Sequence, residues 1–223
     1  MGFFALLKSL DALIYEVMSW LVFYPLTMWR AVRYPIRMMD YADSELGDEP
    51  AEQYTDTLSP PLFLFLTLLL QHGLELALVG ESAVVRSTRH LQALITSDTA
   101  LITLRVVLFS LFPLVMALRL LRQQGVKVTR DSLRPPFYSQ CYAAAPFAVA
   151  ISLSFTMDSV HRPWAPFAML ALLAATLIWY GTLQIRWFAE HLGGSLRRGI
   201  WNASVAMIEC LVLESVVLAL FTA

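Results

Sequence analysis

The chain has 223 residues, of which 58% are hydrophobic and 15% charged, with a net charge of −1 and a mean hydropathy of +0.62. That composition excludes an ordinary soluble domain and puts most of the chain in lipid. The near-neutral balance points to no nucleic-acid partner, and two cysteines are too few for a disulfide or metal framework.

Lys8 interrupts the apolar start and no cleavage site follows, so no secretory signal is expected. Phe3 to Phe23 reads as one helix. Phe3, Leu6, Leu7, Leu10, Leu13, Ile14, Val17, Met18 and Leu21 share a face, and Lys8, Asp11, Tyr15 and Ser19 share the other. A polar stripe along the whole helix favours lying in the membrane surface. The competing reading is a span over Leu10–Trp29. From Leu26 to Met39, Arg30, Arg33 and Arg37 recur at helical spacing, and Pro35 is expected to break the helix. These three arginines are candidates for anionic lipid headgroups or for a plain positive-inside anchor. Residues 1–41 thus form an interfacial amphipathic region.

Residues 42–58 change character. Asp43, Glu45, Asp48, Glu49, Glu52 and Asp56 follow Asp40 with no Lys or Arg among them, which reads as a solvated acidic linker.

Residues 59–223 carry five apolar stretches, each long enough to cross a bilayer. The first, Ser59 to Gly80, opens with Pro60-Pro61 and ends with Gln71, His72 and Glu75. His72 and Glu75 are three apart and share a helix face. An ionisable group at that depth faces protein or water rather than lipid. The second stretch, about Ala100 to Leu121, holds Arg105 and Pro113. The third, about Pro136 to Met157, opens with a second double proline, Pro135-Pro136, and carries Ala144, Ala148 and Ser152 four apart. Small residues at that spacing let helices approach closely. The fourth, about Pro166 to Phe188, has the smaller pair Ala171 and Ala175. The fifth, about Ile200 to Leu220, holds Glu209 and Glu214. Cys141 and Cys210 lie in apolar runs and read as small buried hydrophobes. The expected fold is therefore an all-α polytopic membrane bundle of five transmembrane helices, preceded by interfacial amphipathic helices.

Basic residues orient it. With the N-terminus in the cytoplasm, that side holds Lys8, Arg30, Arg33, Arg37, Arg119, Arg122, Lys127, Arg130, Arg134, Arg186, Arg197 and Arg198. The far side holds Arg86, Arg89 and Arg162. Five spans put the C-terminus outside. Depth then follows from the helical rise. Glu75 and Arg105 each fall about 7.5 Å inside the outer end of their spans, and Glu214 about 9 Å inside its own. An unpaired arginine there costs at least a few kcal/mol, so Arg105 is expected to pair with Glu75, Glu214 or both. Glu209 lies deeper and needs a different partner or a proton.

A cytoplasmic N-terminal segment, five closely spaced spans and the opening Ser59-Pro60-Pro61-Leu62-Phe63 resemble the Yip1-like membrane proteins. The resemblance is one of layout and transfers no functional residue. It implies a non-catalytic membrane organiser or adaptor, with another membrane protein or a second copy of the chain as partner. The alternative is a small permease or channel subunit using Glu75, Arg105, Glu209 and Glu214. No phosphate loop, nucleophile motif or metal-binding histidine pair occurs, so neither an enzyme nor a cofactor or metal is expected. Arginine-rich, lysine-poor usage with tiny loops is that of a bacterial inner-membrane protein.

Overall fold

The computed structural model describes residues 3–50, 52–79, 98–157 and 162–222. All regular structure among them is helical: α1 (Phe3–Arg33), α2 (Pro35–Glu45), α3 (Pro60–Val79), α4 (Asp98–Gln124), α5 (Arg130–Met157), α6 (Ala165–His191) and α7 (Leu196–Thr222). The last five are long and apolar enough to cross a membrane, and the chain is an integral membrane helical bundle. Consecutive spans run antiparallel. One end of the bundle therefore gathers the end of α1 and all of α2, the starts of α3, α5 and α7, and the ends of α4 and α6. This is the basic end.

The spans sit around α5, which packs on α3, α4, α6 and α2. Its sequence explains this. Ala143, Ala144, Ala145 and Ala148 are all buried and give α5 a narrow waist. In lipid, where apolar burial adds little, close approach of backbones supplies the packing energy. Ala144 and Ala148 meet Phe63, Leu64 and Leu68 of α3 in one cluster. The small-residue stripe is thus used within the chain. On the other side of α5, Phe147 stacks on Tyr180 of α6 with ring centroids 4.1 Å apart, and Phe112 of α4 meets both rings edge-on. Ala171 and Ala175, by contrast, are exposed on the outer face of α6. Cys141 and Cys210 are free thiols buried in different clusters.

Helix ends follow local chemistry. Pro35 restarts the chain as α2 after Tyr34, whereas Pro25 lies inside α1 without ending it. Gly125 at φ 68° closes α4. Gly193 and Gly194, at φ 88° and 75°, turn α6 into α7, a conformation that glycine adopts without steric cost. Gly199 has a different role: a Cβ there would collide with the Ile185 carbonyl oxygen, so α7 can start against α6 only with glycine.

One expectation needs correction. The third span does not open at its double proline. Thr129 and Ser132 cap each other's backbone N–H groups, at 3.1 and 2.9 Å, and the helix starts at Arg130. Pro135 and Pro136 then fall just past its first turn. In α3, Pro60 is the first helical residue, so the two double prolines hold different positions in their helices. The acidic segment is partly helix and partly loop. Asp43 and Glu45 belong to α2, and the loop after it is tied down. The Tyr54 hydroxyl donates to the Ala42 carbonyl at 3.0 Å, and the Tyr142 hydroxyl of α5 donates to the Leu58 carbonyl at 2.7 Å. The Leu58 N–H donates to Thr27 of α1 at 3.1 Å. Asp43, Glu45 and Asp56 accept hydrogen bonds from Ser139, the Tyr54 N–H and Arg30, whereas the exposed side chains of Asp48, Glu49 and Glu52 bond to no described residue.

Candidate functional site

The membrane-embedded charges fall into two groups along α4. At the end of the bundle away from the basic residues, Arg105 donates from Nη2 to Glu75 Oε2 of α3 at 2.5 Å, and both side chains are only 4% exposed. The pair forms because α3 and α4 run in opposite directions and place the two groups in one layer. His72, one turn earlier on α3, is buried in the same region. Among the described residues no three His, Cys, Asp or Glu side chains converge as a metal site.

Glu214 of α7 joins this layer without bonding to the pair. A cavity of about 350 Å3 lies between α4, α5 and α7, and Glu75, Arg105, Ser152 and Glu214 line it. Apart from Ser215 its remaining wall is apolar, including Phe109, Ile151 and Phe155. A second cavity of about 160 Å3 on the other side of Glu75 is lined by Gln71, Thr67, Tyr24 and again Ser152. The second carboxylate oxygen of Glu75, Oε1, and both amide atoms of Gln71 have no hydrogen-bond partner among the described residues. Glu75 thus stands between two cavities with one oxygen committed and one uncommitted. The formal charges of Glu75 and Arg105 cancel, and Glu214 leaves the layer with a surplus carboxylate.

The second group is nearer the basic end. Arg119 of α4 donates from Nη1 to Glu209 Oε1 at 2.9 Å and from Nε to Asn202 Oδ1 at 3.0 Å, both on α7. Asn202 in turn donates to the Arg198 carbonyl at 2.9 Å. This is the partner Glu209 requires. Reading Arg119 as a surface anchor at the end of the span missed it. The available signal was the seven-residue spacing of Asn202 and Glu209, which puts both on one helix face. A third polar contact had no such signal. Gln140 of α5 and Gln184 of α6 bond reciprocally at 2.9 and 2.7 Å, both fully buried.

The arginines of the N-terminal region divide. Arg30 is bound to Asp56 at 2.7 Å, and the Tyr41 hydroxyl donates to the other oxygen of Asp56 at 2.6 Å. Burial raises the Asp56 pKa, but these two bonds and the Arg30 charge outweigh it and hold the carboxyl below its ordinary value. Arg33 and Arg37 instead lie over the Tyr34 ring, 5.1 and 5.4 Å from its centroid, and both remain exposed.

Comparison with protein-family models, curated proteins and solved structures returns no match. The membrane bundle and its buried charges are therefore the basis for a functional reading.

Proposed function

We propose that this chain is a small non-catalytic permease-type membrane protein whose Glu75–Arg105–Glu214 layer handles a proton or a small cation. The observation that carries the reading is the uncommitted Glu75 oxygen in a nearly inaccessible residue that lines two cavities. A purely structural ion pair in lipid gains from having every lone pair satisfied. The charge balance of the layer is that of a cation site, because the arginine neutralises only one of two carboxylates. The basic end supports a cytoplasmic N-terminus in a bacterial inner membrane.

The reading is tested by flux in liposomes holding the purified chain and a pH-sensitive dye. Glu75→Gln and Glu214→Gln are expected to abolish proton or cation flux while the protein still purifies as a folded species. Absence of flux from the unaltered chain, for protons and for sodium and potassium, overturns it.

A second reading has its own observation. The α2 helix and the tied loop after it form a platform that exposes Asp48, Glu49 and Glu52 at the basic end. An organiser or adaptor resembling the Yip1-like proteins would present such a surface to a membrane-protein partner. On that reading the same substitutions alter stability or assembly and no flux exists to lose.

A further inference from the structure

At the basic end, the last turns of α4 and α6 and the first turns of α7 enclose an open groove of about 1580 Å3. His191, Arg197 and Arg198 line it, with Gln124 and Ser195 between them. Among the described residues no Asp or Glu lines it, and Glu190, the neighbour of His191, is exposed outside it. Arg197 makes no hydrogen bond or ion pair with any described residue. Arg198 makes only a long contact, 3.4 Å from Nη1 to the Leu192 carbonyl. Their donors are thus available. The groove is also not purely polar. Ile200 and Trp201 line it and are exposed, on the first turns of a membrane-spanning helix.

An arginine pair beside an exposed apolar wall fits an amphipathic anion. Guanidinium groups bind phosphate oxygens two at a time, and basic pockets between spans at this level of a bilayer receive lipid headgroups. We propose that this groove binds the phosphodiester headgroup of an anionic phospholipid, with Ile200 and Trp201 against the glycerol and upper acyl chain. A free phosphate ion would leave the apolar wall uncovered and most of the volume unfilled. The arginines of the N-terminal region are less suited, because Arg30 is bound to Asp56 and Arg33 and Arg37 lie over the Tyr34 ring. The inference is independent of any transport activity.

The test uses the full chain in mild detergent, with retained lipid counted by native mass spectrometry. Phosphatidylglycerol and phosphatidylcholine are supplied in equal amounts. The unaltered chain is expected to retain phosphatidylglycerol preferentially, and Arg197→Gln/Arg198→Gln to lower that preference about tenfold. Arg33→Gln/Arg37→Gln is expected to keep it, and excess inorganic phosphate not to displace the lipid. Equal retention of both lipids, or an equal loss in the two double variants, overturns the site. Full displacement by inorganic phosphate overturns the lipid assignment. If the double variant melts early, Arg197→Gln alone carries the test, since that side chain has no bond to any described residue to lose.

Discussion

The two arginines of α4 face the same physical problem and solve it differently. Arg119 has two acceptors on one neighbouring helix, Glu209 and Asn202, and its carboxylate partner is 36% exposed. It reads as a clip that holds α7 against α4. Arg105 has a carboxylate partner that is 4% exposed, keeps a second oxygen uncommitted and borders a cavity with another carboxylate. Buried ion pairs are poor evidence for stability alone, because desolvation offsets much of the attraction. What separates the two regions is therefore the space and the spare charge beside Arg105, not the presence of an ion pair.

The comparison can be broken by substitution. Arg105→Ala strands Glu75, a carboxylate that is 4% exposed, without its cation and should cost about 3–5 kcal/mol, read as loss of folded protein on thermal unfolding in detergent. A cost no greater than that of Arg119→Ala would make the two pairs equivalent. Ala148→Leu overfills the α3–α5 seam that carries Glu75 and should cost roughly 1–3 kcal/mol. Ala171→Leu, on the exposed face of α6, should stay within about 0.5 kcal/mol of the unaltered chain. Arg119→Ala should cost roughly 1–2 kcal/mol, since its charged hydrogen bonds are discounted for exposure.

A further effect lies outside the membrane. Asp56 is held below its ordinary pKa in the folded state. Its contribution is complete above the unfolded-state value, near 4, and is lost as pH falls through the lower folded value. Proteolysis of the loop after α2 should therefore accelerate below about pH 4, and Asp56→Asn should show that faster cleavage already at pH 7.

The fold was readable because span length is a strong signal, and antiparallel order plus helical rise then placed Glu75 and Arg105 in one layer. The same reasoning separated Glu209 from that layer but could not name Arg119, because a basic residue near a span end is ordinarily an interface anchor. The start of α5 was misplaced because Thr129 and Ser132 cap the helix before its prolines. The tied loop was not legible at all. Its anchors, Tyr41, Tyr54, Thr57 and Tyr142, bond across separations of up to 85 residues, and no local pattern encodes such partners.

The central claim is that Glu75 and Arg105 are energetically coupled inside the bilayer. A double-mutant cycle with Glu75→Gln and Arg105→Ala, read as unfolding free energy in bicelles, measures that coupling directly. The account predicts a coupling of about 1 kcal/mol or more, with the double variant more stable than Arg105→Ala alone. Additive losses, with a coupling indistinguishable from zero, would contradict it.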